Sequence, residues 1–166
     1  MLDEIGTGTT IFIDANIFLY EILDHWKYAE SCNSFLEHVN MGKYHAVMSV
    51  LVCNEVFHRV MIAEVVERYE IEPKSAVNYL KKNWEVVREL NKAYDAMLNI
   101  DAIENLEIVE IDREVYDIAL EYSKKYGLLS NDAVHLATIK KHGITNIATN
   151  DGDFERVRGL KVWKPR

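Results

Sequence analysis

The sequence predicts an α/β fold: a mostly parallel sheet of about five strands with helices on both faces. Three observations lead there. Short runs of β-favouring apolar residues alternate along the chain with longer segments of helical period. Two of those runs, Ile11–Ile13 and Ile144–Ala148, lead straight into acids, as strands do whose carboxyl ends open onto a ligand crevice. With 166 residues, of which 49% are hydrophobic, the chain is long enough to bury one real core, and it is read as a single domain over 1–166.

Ile11-Phe12-Ile13 reads as a short buried strand that stops at Asp14 and turns at once into a helix. Asp14 either caps that helix or points its charge into the crevice, and Asn16 either orients Asp14 or satisfies free amides at the helix start. Asp24 is the expected cap of the next helix, with Tyr28, Cys32, Phe35, Leu36 and Val39 on its apolar face and Gly42 as its C-terminal cap. Tyr44 to Met48 is a candidate strand. Ser49 then opens a helical segment through Val60, Met61 and Val65, in which Glu55 is a carboxylate among apolar residues and needs a partner.

Pro73 predicts the start of one long helix to about Met97, with Val77, Leu80, Trp84, Val87, Tyr94 and Leu98 near helical spacing. It is expected to form a hairpin with the helix over 50–70. Leu106 to Ile111 alternates as a strand, and Asp112 caps a helix bearing Val115, Ile118, Ala119 and Tyr122 that ends at Gly127. Ser130 is the expected cap of a further helix, which places Asp132 in its first turn and His135 on the same face. Ala133, Leu136 and Ala137 give that helix a close-packing side. The last apolar strand runs into Thr149-Asn150-Asp151-Gly152-Asp153-Phe154, and Val162-Trp163 makes an edge strand.

Composition narrows the function. No apolar run approaches the roughly 20 residues of a membrane span. Met1-Leu2-Asp3-Glu4 is acidic, unlike a secretory signal, and a cytoplasmic protein is expected. Cys32 and Cys53 sit in apolar helical patterns and read as free thiols. The net charge of −8 argues against a broad nucleic-acid surface, unless many of the acids are gathered in one cation-binding cleft.

That gathering is what the topology implies. Right-handed crossovers bring the carboxyl ends of the strands, with Asp14 and Asp151, to one edge, and Glu55 and Asp132 near their helix starts can reach the same crevice. Packed carboxylates repel unless a cation intervenes. Oxygen ligands without a Cys or His array suit Mg²⁺ or Mn²⁺, which can bind a phosphodiester and activate a water. The chain has no glycine-rich phosphate loop, no nucleophile elbow and no dinucleotide fingerprint.

Four pieces together carry a family resemblance: Phe12-Ile13-Asp14-Ala15-Asn16-Ile17-Phe18, Ser49 with Asn54-Glu55-Val56, Leu129-Ser130-Asn131-Asp132-Ala133-Val134-His135-Leu136-Ala137, and Thr149-Asn150-Asp151-Gly152-Asp153-Phe154. In this order the chain resembles the PIN-domain ribonucleases, in particular the VapC-type toxins of prokaryotic toxin–antitoxin pairs. The resemblance implies a three-layer fold and Mg²⁺-dependent (or Mn²⁺-dependent) endonucleolytic cleavage of single-stranded or looped RNA. It carries the catalytic and metal-site role to Asp14, Glu55, Asp132 and Asp151, with Asn16 and Thr149 as supports. Asp153 is either an extra acid or the start of the turn at Phe154. The family further implies an antitoxin partner and a homodimer. Apolar surface on the helix with Cys32, Phe35 and Leu36, and on the hairpin with Trp84 and Tyr94, is the expected dimer contact. The alternative of another class is a PIN-like RNA-binding or scaffold module without nuclease activity. A phosphatase using Asp14 as nucleophile fits less well, because Asn16 stands where a second acid is wanted.

Overall fold

The computed structural model describes residues 1–166. Five parallel strands form one sheet in the order β3-β2-β1-β4-β5: β1 (Thr10–Ile13), β2 (His45–Ser49), β3 (Leu106–Val109), β4 (Asn146–Ala148) and β5 (Lys161–Trp163). Ile11, Phe12 and Ile13 are each 0% exposed. Successive strand residues point to opposite faces, so both faces of the sheet centre are covered by helices.

The chain order locates the crevice. From β1 it steps outward to β2 and β3, then returns across the sheet to β4 on the other side of β1. The direction of winding therefore reverses between β1 and β4, which is where open parallel sheets hold ligands. The Asp14 amide extends the β1–β4 ladder to the Ala148 carbonyl at 3.1 Å, so the two strand ends arrive together.

The helices are α1 (Ala15–Ile22), α2 (Ala29–Asn40), α3 (Val50–Tyr69), α4 (Ala76–Lys82), α5 (Trp84–Val87), α6 (Asn91–Asp101), α7 (Arg113–Tyr126) and α8 (Ser130–Lys141). Asp112 caps α7 by accepting the Val115 amide at 3.0 Å, as expected, and Gly127 ends it in the left-handed region at φ +66°. Asp24 does not cap α2. It takes φ +48° in a turn, and α2 begins after Tyr28. Ser130 is the first residue of α8, with Leu129 before it as the cap, and Asp132 still falls in the first turn.

The single long helix expected from Pro73 is instead a 3₁₀ turn (Pro73–Ser75) followed by α4, α5 and α6. Asn83 interrupts it: its backbone leaves helical geometry at φ −122°, ψ +61°, and its side-chain amide joins its own backbone amide on the Tyr79 carbonyl, each at 2.9 Å, which closes the end of α4. A second break at Leu90 folds the segment back onto α3, where Leu90, Ala76, Leu80 and Val65 close a small separate cluster. Two α3 side chains stabilise this break. Arg68 Nη1 donates to the Glu89 carbonyl at 2.9 Å, and buried Glu64 accepts the Ala93 amide in the first turn of α6 at 3.3 Å.

Cys32, Phe35 and Leu36 lie inside the main core and so offer no dimer surface; the sheet and α2 bury them within one chain. Tyr94 and Leu98 are exposed, as is Trp84. No helix is long and apolar enough to cross a membrane.

Glu64 caps a helix from a buried position, whereas Glu67 pairs with Lys92 at 2.6 Å in solvent. Glu64→Ala should lower the unfolding free energy by about 1–2 kcal/mol in urea titrations. Glu67→Ala should cost less. Equal effects of the two substitutions would show that α6 does not depend on this cap.

Candidate active site

Asp14 ends β1 and begins α1, 8% exposed, and each of its carboxylate oxygens is engaged. Oδ1 accepts the Ala15 amide at 2.7 Å. Oδ2 accepts Asn16 Nδ2 and the Thr149 hydroxyl, each at 2.5 Å. Both sequence readings of Asp14 hold at once: it caps the helix and it faces the crevice. Thr149, fully buried at the end of β4, is the hub of the supports. Its Oγ1 also accepts Asn16 Nδ2 at 2.8 Å and the Asp151 amide at 3.0 Å. Asn16 Oδ1 accepts the Asn150 amide at 3.1 Å, which fastens the loop after β4 to the start of α1.

Glu55 comes from the second turn of α3 and is gripped by α8. Asn131 Nδ2 donates to its Oε1 at 2.6 Å, and His135 Nε2 lies 3.1 Å from its Oε2. Asn131 and His135 are four residues apart, hence one above the other on the helix. Both oxygens of Glu55 are therefore fixed by a single helix face. His135 is 1% exposed and its Nδ1 has no partner. With Nε2–H donating to Glu55, Nδ1 is left as an acceptor, a smaller penalty than a buried, unpaired N–H.

The predicted acids converge as two adjoining groups. Ligand atoms of Asp14, Glu55 and His135 lie within 4.8 Å of one another, and so do those of Asp132, Asp151 and Asp153. A cleft of about 570 Å³ is lined by Asp14, Asn16, Glu55, Asn131, Asp132 and Asp151, with Arg59 and His58 from α3 beside them. Asp153 starts the turn at Phe154, and its carboxylate lies beside those of Asp132 and Asp151. Its amide donates to Asp151 Oδ1 at 2.8 Å, and its carboxylate is paired with Arg156.

The electrostatics follow from the crowding. Burial pushes the Asp14 carboxyl up, over the opposing pull of His135 and Thr149, and nearby Glu55 adds to the rise. Burial also pushes Asp132 up, and repulsion from Asp151, Asp14 and Asp153 helps carry it to about 6. Glu55 differs: burial raises it, but the contacts with His135 and Asn131 and the charge of Arg59 win and hold it low. Burial pulls the His135 imidazole down, yet Glu55, Asp14 and Asp132 outweigh it and raise it. The donors left facing the cleft are carboxylate oxygens, since His135 is occupied by Glu55, and their excess negative charge is of the kind a divalent cation neutralises. The residues fit a hard divalent ion such as Mg²⁺ or Mn²⁺.

Sequence reasoning passed over Asn131 and His135 as site residues. The signal was present in their four-residue spacing beside Asp132, but only the packing of α8 on α3 shows which carboxylate they hold.

A family model described as PIN domain matches residues 11–160, a span that begins at the central strand and ends just before β5. The chain belongs to the PIN domain family. Among curated relatives, Ribonuclease VapC6 of Methanocaldococcus jannaschii is 39% identical over 90 residues, covering 51% of this chain and 56% of that protein. The match thus spans about half the length of that relative. Ribonuclease VapC2 of the same organism is 28% identical over 153 residues, 92% of this chain and 91% of that protein. Two solved structures share the PIN fold. VapBC2 from Rickettsia felis bound to a promoter DNA fragment has a TM-score of 0.59 at 17% identity, covering 95% of this chain and 100% of that one. The sarcin–ricin loop cleaving toxin VapC20 of Mycobacterium tuberculosis has a TM-score of 0.59 at 15% identity, covering 87% and 92%.

The raised Asp132 of this PIN domain has a consequence for stability. Its ordinary value is 3.8 and its folded value about 6, so across that interval the native state keeps a proton that the unfolded chain has lost. Its contribution to metal-free stability is therefore present at low pH and is lost as pH rises through the window. Asp132→Asn should raise the metal-free melting temperature at pH 7, leave it little changed at pH 4, and reduce the stabilisation that added Mg²⁺ provides. A variant that melts lower at pH 7 and responds to Mg²⁺ like the parent would make Asp132 an ordinary helix-start acid.

Proposed function

We propose that this PIN domain is a metal-dependent endoribonuclease acting on single-stranded or looped RNA as the toxin of a toxin–antitoxin pair. The observation that carries the reading is the meeting of Asp14, Glu55, Asp132 and Asp151, delivered by β1, α3, α8 and the loop after β4, in one open cleft. The two relatives named as VapC ribonucleases support the RNA substrate and the toxin role.

In this reading Asp14, Glu55, Asp132 and Asp151 hold Mg²⁺ or Mn²⁺. When bound, the ion supplies a Lewis acid that polarises the phosphodiester and makes a water acidic enough to attack in line. The protein's own part is preorganisation. Asn16 and Thr149 fix the plane of the Asp14 carboxylate, and Asn131 with His135 fixes that of Glu55, so neither has to be ordered when substrate arrives. Arg59 lines the cleft, is exposed and makes no ion pair, so its guanidinium is available to a phosphate oxygen. This local cation, with the bound ion, answers the overall charge of −8.

The same acidic cleft suits control by a protein partner: an Arg inserted by an antitoxin would pair with the carboxylates in competition with the ion. Tyr94 and Leu98, exposed one turn apart on α6, are the apolar surface we assign to a homodimer. A cytoplasmic location goes with this role.

Incubation with labelled single-stranded RNA and Mg²⁺ or Mn²⁺ should give internal cleavage that a chelator abolishes. Asp14→Asn keeps the side-chain shape and removes a ligand charge, and should slow cleavage by on the order of 10²-fold or more. Undiminished cleavage in chelator, or full activity of the variant, would overturn the mechanism. An Arg-containing antitoxin segment should inhibit less as Mg²⁺ is raised; inhibition insensitive to Mg²⁺ would place its contact outside the cleft.

A further inference from the structure

Beside the acidic cleft lies a cluster of aromatic rings, of which Tyr20 and Tyr28 pack against the main core while the Trp26 indole at its outer end stands open to solvent. Tyr20 is on α1, and His25, Trp26 and Tyr28 belong to the loop between α1 and α2. The His25 ring is nearly parallel to both neighbours, at 4.9 Å and 16° from Tyr28 and 6.0 Å and 21° from Trp26. Tyr20 packs on His25 at 4.7 Å and on Tyr28 at 4.9 Å. The indole that completes the group is 88% exposed, the most exposed large apolar side chain of the protein. An aromatic left this open contributes almost nothing to folding, so its presence at the end of a stack calls for a different reason.

The loop is held in shape. His25 N–H donates to the Tyr20 carbonyl at 2.9 Å, the Tyr28 and Ala29 amides both return to the His25 carbonyl at 3.0 Å, and the Lys27 amide donates to His25 Nδ1 at 3.3 Å. Asp24 enters the turn at φ +48°. The cluster is also wired to the cleft. Asn150 Nδ2 donates to the Tyr20 hydroxyl at 3.1 Å, the Asn150 amide donates to Asn16 Oδ1, and Asn16 donates to Asp14. Two asparagines thus separate the aromatic group from the buried carboxylate. A cation accompanies it: Lys27 Nζ sits 4.8 Å from the centre of the Tyr28 ring and makes no ion pair with an acid.

We propose that Tyr20, His25, Trp26 and Tyr28 form a nucleobase-stacking platform, with the open indole taking a base of the single strand whose backbone crosses the acidic cleft. The inference rests on the nuclease reading for its substrate and adds where the strand is gripped. Stacking on an aromatic face is tolerant of sequence, since every base has a π-face, and it demands an unpaired base. It also supplies what this acidic protein lacks, namely affinity for RNA that does not come from positive charge. Lys27 is placed to meet the phosphate next to the stacked base.

The test separates binding from cleavage. Anisotropy of a fluorescein-labelled, single-stranded pyrimidine RNA is measured in chelator, where no cleavage occurs. Trp26→Ala should weaken binding by about 5-fold to 150-fold and Trp26→Phe should stay near the parent, with melting temperatures unchanged because the side chain is exposed. A duplex of the same sequence should not distinguish parent from Trp26→Ala. Equal affinity of Trp26→Ala and parent for the single strand, or no measurable binding by either, overturns the platform. Cleavage is assayed separately with Mg²⁺. Activity with no dependence of affinity on Trp26 removes the platform alone, and Trp26-dependent affinity without cleavage removes the nuclease reading alone.

Discussion

A carboxylate buried at the end of the central strand is the constraint on which the rest of this molecule turns. Asp14 lies among fully buried neighbours, and a charge there is tolerable only if its oxygens are satisfied. They are satisfied from three directions: by the first amide of α1, by Asn16 one residue further on, and by Thr149 at the end of the adjacent strand. Each donor ties Asp14 to a different piece of backbone. The need to hydrate one carboxylate without water thereby fixes how β1, α1 and the loop after β4 meet.

The same logic repeats one layer out. Glu55 leaves an otherwise apolar helix and is held at both oxygens by Asn131 and His135. That contact locks α3 to α8 across the crevice. Asp132 receives no such support, and neighbouring acids push its carboxyl up to about 6. Of the four carboxylates in the cleft, Asp14 and Glu55 are held at both oxygens, Asp151 accepts the Asp153 amide, and Asp132 is frustrated. A fully paired site would be stable and inert, whereas this one keeps crowded negative charge that a divalent cation could neutralise.

Away from the cleft, the departures from a regular reading have local causes. The helix expected from Pro73 to Met97 breaks where Asn83 leaves helical backbone angles and closes α4 on the Tyr79 carbonyl, and again at Leu90, where folding back buries Leu90 against Val65, Ala76 and Leu80. The spacing of Val77, Leu80, Trp84 and Val87 is nearly helical in either case, so periodicity alone cannot see the break. Cys32, Phe35 and Leu36 looked like surplus apolar surface and are core instead. An amphipathic pattern shows that a helix has a buried face but is silent on what covers it.

The sequence by itself determined the alternation of strands and helices, the stops at Asp14 and before Asp151, the cap at Asp112 and the end at Gly127, because each depends on a few adjacent residues and on local backbone preference. It also determined that Asp14, Glu55, Asp132 and Asp151 would share one edge, since parallel strands with crossovers of one hand leave their carboxyl ends no other place. Only the tertiary structure decided how those acids are paired. That His135 and Asn131 serve Glu55, 80 and 76 residues away in the chain, is set by the packing of α8 against α3. That Asn150 joins Tyr20 to Asn16, and so brings an aromatic loop beside the cleft, is set by how the end of β4 meets α1. Such contacts depend on angles and distances between elements, and no local pattern in the chain encodes them.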